Sequence, residues 1–370
     1  MNSLIDPVEL IDGSVLLHLG NGCDLELPYL WLRDNCPCDD CRVPQTQEKR
    51  FILASVAADI APTEVAIKDQ SLSLVWPDNH PTAYDLNSLR ALIQTDRKPQ
   101  QPWPKNFSPQ TYSWDLFLHS SAVAIDALEE FMRHGVIVIT DAPQEPETLE
   151  QLAPMIGPIR ELLFDRIHNV SVEGHVYNIA HTSLGLPPHN DFASYSFPPS
   201  VQALHMLHNE VAGGESIVVD GWAVAEQLRN DHPDYFQTLC DFAVPFREFD
   251  DNNETYAVEP MIRCDSEGNI INLRFSNQLM QTINPQQPGI REFYRAYHEL
   301  CLRVTDPQYK STFRLEGGQI ILLAAHRVLH AREAFTPTGK RHLQDAYFEL
   351  DNIANKLVWL KRQRDQQHEH

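Results

Sequence analysis

Apolar residues recur along this chain mainly in short runs and alternations, broken every few residues by Gly, Pro, Asn or Asp, and only a few stretches carry helical spacing. The first hundred residues read as β-rich. Runs at 14–19 and 25–32 flank Gly20-Asn21-Gly22 as a hairpin, and further strands are expected at 51–56 and 72–76. Four prolines fall within 98–109 without any periodicity, which predicts an extended linker over 98–118 and places a domain on either side, 1–97 and 119–370. Beyond the linker, Val123, Ala127, Leu128 and Phe131 predict a helix over 122–134, with Gly135 as its C-cap and a buried strand at 136–139. Short apolar strands then recur at 201–207, 216–219, 242–248, 270–275, 319–324 and 344–350, with a helix at 290–304 and a surface or dimer-forming helix at 352–364. Many short strands separated by turns, with helices packed outside, predict a mainly β fold built as a double-sheet jelly roll.

Composition narrows the partners. With 29 Lys+Arg against 51 Asp+Glu, the net charge of -22 argues against nucleic acid and against anionic membrane surfaces. No apolar run approaches the length of a membrane-spanning helix, and the first residues lack the basic and apolar regions of a secretory signal. A cytoplasmic protein is the expectation.

Among the chemical groups, His189-Asn190-Asp191 and His330 stand out. One imidazole and one carboxylate on the same face of a strand, closed by a second imidazole from a later strand, make a facial triad for Fe(II) that leaves coordination positions for a co-substrate and O2. His-x-Asp also arises by chance among 17 histidines, and a lone His330 on an apolar strand reads equally as a hydrogen-bonded core residue. Spacing alone therefore leaves both readings open. Arg341, eleven residues after His330, adds a planar fork able to grip a carboxylate in a bidentate way, as an oxygenase using 2-oxoglutarate requires. Gly213-Gly214-Glu215-Ser216 reads first as a hairpin turn; its functional reading has Ser216 hydrogen-bond the same carboxylate.

Of the seven cysteines, Cys36, Cys38 and Cys41 lie within six residues. Three clustered thiols suit a metal in a reducing compartment better than disulfides, and His80, after a strand and a turn, completes a four-ligand structural zinc site. The other reading is three free thiols in a turn.

Together these residues resemble the γ-butyrobetaine and trimethyllysine hydroxylase family of Fe(II)/2-oxoglutarate dioxygenases. The resemblance covers nearly the whole chain and rests on an ordered set. It comprises Trp31-Leu32-Arg33-Asp34-Asn35-Cys36-Pro37-Cys38 with Cys41, Trp76-Pro77-Asp78 with His80, His189-x-Asp191, Gly213-Gly214-Glu215-Ser216 with Val219-Asp220-Gly221, Arg327-Val328-Leu329-His330 and Arg341-His342-Leu343. It implies a small N-terminal zinc-binding domain followed by a double-stranded β-helix (jelly-roll) catalytic domain, as a homodimer. In the implied reaction O2 and 2-oxoglutarate are consumed, succinate and CO2 leave, and a substrate C–H becomes C–OH. His189, Asp191 and His330 would be the catalytic iron ligands, with Arg341 and Ser216 on 2-oxoglutarate. Phe164, His168, His181, Phe192 and Tyr347 fall at the family's cage around a trimethylammonium group. Asn178 falls near the substrate, and Asn277 with Arg274 near its acidic end.

The resemblance has departures. His168 and His181 stand where Trp and Tyr are expected, unless Tyr177 or Tyr195 fills the gap, and imidazole is a poorer partner for a quaternary cation. Ala325 stands where a polar residue near iron is usual. The implied substrate is a small zwitterion, γ-butyrobetaine first and 2-(trimethylammonio)ethylphosphonate or another ammonium phosphonate second. A catalytically inactive binding or regulatory homologue is the reading from another class.

Overall fold

Alternation of buried and exposed side chains builds the first part of the chain: Ser71–Val75 and Pro81–Asp85 each bury every second residue, placing Leu72, Leu74, Thr82 and Tyr84 on one face. The computed structural model describes residues 8–18, 24–93, 101–163, 165–171 and 182–368, and falls into two units, Met1–Pro99 and Gln100–His370. In the first unit, Val8–Ile11, Ser14–His18 and Asp24–Pro28 form one antiparallel sheet and Glu64–Lys68, Ser71–Val75 and Pro81–Asp85 another. Val15, Leu17, Leu27, Leu32 and Trp76 join the buried face in one core.

Two expected strands are corrected. The run expected at 25–32 stops at Pro28, where a helix Tyr29–Asp34 begins, because proline lacks the N–H a ladder needs and suits a helix start. The run at 51–56 finds no ladder: Ile52 is 71% exposed, and local bonds from Ser55 N–H to Ile52 O and from Val56 N–H to Leu53 O close a 3-10 turn instead.

The second unit holds two main sheets. One orders its strands Gln110–Ser113, Val136–Thr140, Gln319–Ala324, Val201–Asn209, Arg341–Phe348 and His168–Ser171; the other orders them Leu186–His189, Val328–Arg332, Ser216–Asp220 and Lys310–Phe313. Val136, Val138 and Ile321 of the first sheet meet Val218 and Val328 of the second in a shared inner core. Their alternates face outward. Ile137, Ile139 and Leu322 pack on helices Ser121–His134 and Leu350–His368, while Val219 and Leu329 pack on Gly221–Asp231, Pro233–Asp241 and Ile290–Thr305. Both faces of these strands are covered, so strands such as Val136–Thr140 read as continuous apolar runs. This is the jelly roll with flanking helices that the strand pattern predicted.

The proposed linker over 98–118 is corrected. Gln110–Ser113 pairs parallel to Val136–Thr140 and Trp114–His119 is helical. Upstream, Trp103 stacks on Phe107 with ring centroids 4.3 Å apart and donates from Nε1 to His134 O at 2.7 Å. The prolines prevent regular structure, but the aromatic residues between them are half-buried within the second unit.

Arg327 and Asp220 form a buried ion pair, with Nη2 to Oδ2 at 2.9 Å and Nε to Oδ1 at 3.1 Å. Asp220 Oδ1 also accepts from Ala223 N–H, capping the helix Gly221–Asp231. At Gly221 a Cβ would lie 2.6 Å from Arg327 O, so the Asp-Gly pair is set by this close approach.

Candidate active site

His189 ends the strand Leu186–His189 and lies opposite His330 in the strand Val328–Arg332. Asp191 is not on that strand face, as expected from the sequence, but in the turn that follows. Asn190 positions that turn: its side chain donates to Leu273 O at 3.0 Å and Ala325 O at 2.7 Å, while its Oδ1 accepts from Phe275 N–H at 2.6 Å. Turning the chain there brings the carboxylate back beside the imidazoles. His189 Nε2 is 3.2 Å from Asp191 Oδ1, His330 Nε2 is 3.9 Å from Asp191 Oδ2, and the donor atoms all lie within 4.8 Å of one another.

The protonation states suit a cation. His189 Nδ1 faces Pro187 O at 2.9 Å, so Nδ1–H donates there and Nε2 offers its lone pair to the cluster. Burial, with the neighbouring His189, brings His330 down to about 4 against the opposing pull of Asp191, leaving a neutral imidazole at pH 7. Burial would raise the Asp191 carboxyl, but His330, His189 and the Tyr347 hydroxyl together hold it well below the usual range. Asp191 Oδ2 also lies 2.6 Å from Gln202 Nε2 and 2.6 Å from Tyr347 Oη, which orients the carboxylate. Two imidazole nitrogens and a carboxylate oxygen converging within 4.8 Å of one another fit a divalent metal with open positions.

This cluster opens into a cavity of about 780 Å³. Strand alternation lines it: Arg341, Leu343, Asp345 and Tyr347 share one face of their strand, with Gln202 and Leu204 on one neighbouring strand and His168 and Val170 on the other. At one end Arg341 and Arg332 both lie over the Phe335 ring, 5.3 and 4.9 Å from its centroid, and Ser216 lies opposite Arg332 in register. Burial, then the charges of Arg332 and Arg314, brings Arg341 down to about 10. Its Nε is buried without a hydrogen-bond partner, and among the described residues no carboxylate pairs with it. An uncompensated guanidinium at the end of a metal-bearing cavity is built for an anion.

At the other end, His168, Phe192 and Tyr347 meet edge to face, with centroids 4.8 to 5.9 Å apart. Asp345 and Glu248 line the same cavity. Burial pushes Asp345 up to about 6, His168 opposing and Asp191 adding to the rise; burial and the charge of Asp191 push Glu248 up to about 7.

In the first unit, His80 sits in the hairpin between Ser71–Val75 and Pro81–Asp85, and its Nε2 is 3.3, 3.5 and 3.5 Å from the Sγ atoms of Cys36, Cys38 and Cys41. The N–H groups of Cys41 and Arg42 both reach Cys38 O, forming the knuckle, and Arg33 donates to Cys41 Sγ at 3.3 Å. Three thiols and one imidazole nitrogen converge within 4.8 Å of one another, the donor number and types that a structural zinc takes.

Residues 96–347 match the taurine catabolism dioxygenase TauD, TfdA family, which is more than half of the chain. The chain belongs to this dioxygenase family. Residues 12–90 match the N-terminal region described as gamma-butyrobetaine hydroxylase-like. The chain is 33% identical to the gamma-butyrobetaine dioxygenase of Pseudomonas sp. (strain AK-1), covering 90% of each chain. It is 24% identical to the human gamma-butyrobetaine dioxygenase over 98% of each, and 27% identical to the human mitochondrial trimethyllysine dioxygenase over 90% of this chain and 82% of that one. In fold it is similar to a putative alpha-ketoglutarate-dependent taurine dioxygenase from Burkholderia xenovorans, with a TM-score of 0.50 and 15% identity over 67% of this chain and 91% of that one.

In this TauD-family site the structure brings His189, Asp191, His330, Ser216, Arg341, His168, Phe192 and Tyr347 to one cavity. Phe164, Asn178 and His181 lie outside the described residues. Two expectations are corrected. Asn277 is exposed and does not line the cavity, whereas its neighbours Ser276 and Gln278 do. Arg274 is buried and donates to the backbone carbonyls of Ala193, Tyr195 and Ser196, which makes it a brace for the loop after Asp191. Sequence reasoning missed Asn190, Gln202, Arg332, Glu248 and Asp345. For Arg332 and Asp345 a signal existed: Arg332 lies two residues after His330, and Asp345 four after Arg341 and two before Tyr347, so strand alternation puts both on faces that already carry expected site residues.

Proposed function

We propose that the chain is an Fe(II)- and 2-oxoglutarate-dependent hydroxylase of a small zwitterion with an ammonium group at one end and an acidic group at the other. γ-Butyrobetaine is the first candidate and an ammonium phosphonate such as 2-(trimethylammonio)ethylphosphonate the second. The observation that carries this reading is that one cavity holds both the three-donor cluster and Arg341, which no carboxylate among the described residues pairs. Fe(II) held by His189, Asp191 and His330 supplies the O2-dependent oxidation that 2-oxoglutarate drives.

The protein's own part is positioning. Arg341 and Ser216 hold the far carboxylate of 2-oxoglutarate. Gln202 and Tyr347 fix the angle of Asp191. Leu186, Leu204 and Leu343 keep the walls between these groups apolar and limit water. His168, Phe192 and Tyr347 receive the substrate, with Phe164, Asn178 and His181 assigned to the same role by resemblance.

A succinate-release screen over ammonium carboxylates and ammonium phosphonates tests the reading. Succinate is expected only when Fe(II), 2-oxoglutarate and one of these acids are all present. Protein that takes up Fe(II) and 2-oxoglutarate but releases no succinate with any of them would be the binding homologue instead.

We also propose a structural zinc at Cys36, Cys38, Cys41 and His80. Metal analysis of the purified protein is expected to find about one zinc per chain, and Cys38→Ser or a strong chelator to remove it and unfold the first unit. Native protein without zinc would refute this.

A further inference from the structure

Among the described residues five carboxylates line the metal-bearing cavity, and four of them have hydrogen-bond donors in the chain. Asp165 accepts from Arg166 N–H at 2.9 Å, and Asp250 from Asn252 and Asn253 N–H at 2.7 and 2.6 Å. Asp191 and Asp345 share Gln202 and Tyr347. Glu248 is the fifth. Among the described residues no hydrogen bond, Lys or Arg meets its carboxylate, and the neighbouring Arg247 is taken by Glu254 at 2.8 and 3.0 Å.

Strand geometry turns this group inward. In the strand Val244–Phe249, Val244 and Phe246 are fully buried, and alternation carries Glu248 to the same face, where it lines the cavity. It is only partly buried, so the cavity's contents can reach it. Thr255 of the strand Glu254–Glu259 lies opposite Glu248, and its hydroxyl is 2.7 Å from that of Ser194, two residues after Phe192. The hairpin that carries Glu248 is thereby tied to the loop that carries Phe192, whose ring meets His168 and Tyr347 edge to face. Burial, then nearby Asp191, makes an uncompensated carboxylate costly at this position, and a cation arriving beside it offsets that cost.

We propose that Glu248 is the counter-charge for the substrate's ammonium group and sets the enzyme's preference for a cation over a neutral molecule of the same shape. This rests on the reading of the chain as a hydroxylase of small ammonium acids and assigns that reading a specificity residue. A trimethylammonium group has no N–H, so a carboxylate acts on it by charge alone, across the methyl shell. That attraction strengthens as water leaves the cavity. It adds to the pull of the Phe192 and Tyr347 rings and makes up for His168, whose imidazole is the poorer partner for a quaternary cation.

The test compares γ-butyrobetaine with 5,5-dimethylhexanoate, in which carbon replaces nitrogen so that shape and carboxylate stay and the positive charge is lost. If the phosphonate is the substrate, the pair is 2-(trimethylammonio)ethylphosphonate and 3,3-dimethylbutylphosphonate. Succinate release gives kcat and KM, and calorimetric titration of anaerobic enzyme loaded with Fe(II) and 2-oxoglutarate gives binding independently of turnover. The wild-type enzyme is expected to favour the cation by about 100-fold or more. Glu248→Gln, which keeps the size of the side chain, is expected to lower that ratio about 10- to 100-fold by raising KM for the cation, and Glu248→Asp to restore part of it. A Gln variant that keeps the wild-type ratio, or that weakens both members of the pair equally, overturns the proposal while leaving the hydroxylase reading intact. So does an Asp variant no better than Gln. If wild-type enzyme neither binds nor oxidises any ammonium carboxylate or ammonium phosphonate, the underlying reading falls and this proposal with it.

Discussion

His189→Ala is expected to abolish coupled succinate formation, with a loss of roughly 1000-fold or more. Replacing residues that merely orient metal ligands typically costs about 10- to 100-fold, and His189 supplies one of only three donor atoms here. Alanine leaves one imidazole and one carboxylate, too few to hold a divalent cation at the mouth of the Arg341 cavity. The neighbouring contacts make the loss specific. His189 touches Pro187 O through Nδ1 and contributes to no large apolar cluster, so the variant should fold. Succinate assays paired with Fe(II) titration check this, and wild-type turnover in the variant would remove the triad from the mechanism.

Arg341→Ala is expected to raise the KM for 2-oxoglutarate by about 100- to 1000-fold. Truncating one partner of a buried charge pair typically costs about 2–5 kcal/mol, and under the proposed function this guanidinium, which no carboxylate among the described residues pairs, meets the far carboxylate. Arg341→Lys should recover only part of this, since a single ammonium cannot reproduce the bidentate fork. Thermal stability separates binding from folding. Arg341 is only 8% exposed, burial disfavours its charge, and two further arginines add to the cost. Removing it is therefore expected to leave the melting temperature of the free protein unchanged or higher. An unchanged KM would show that the co-substrate is held elsewhere.

Much of the fold was legible because its strands are short, apolar and punctuated. The strand Gln319–Ala324 and the helix Ile290–Thr305 follow from local periodicity, which neighbouring elements reinforce. The run at 51–56 was misread because local propensity cannot tell whether a ladder partner exists. The segment 98–118 was misread because proline content says nothing about where Trp103 and Phe107 pack. The expected placing of His189 and Asp191 on one strand face failed for a related reason. Asn190 ties that turn to Phe275, 85 residues away.

The candidate metal donors were legible in local sequence, although spacing alone left each cluster two readings. A metal accepts few donor types, so three thiols within six residues, and His-x-Asp with a later His and Arg, remain readable without any fold. Only the tertiary structure decided what the cavity does to a substrate. Gln202 reaches Tyr347 and Asp345 across a strand pairing that spans more than 140 residues, and among the described residues that pairing leaves Asp345 Oδ1 without a donor. Whether a buried carboxylate is satisfied depends on the partners that packing brings within hydrogen-bond reach, and local sequence does not encode them.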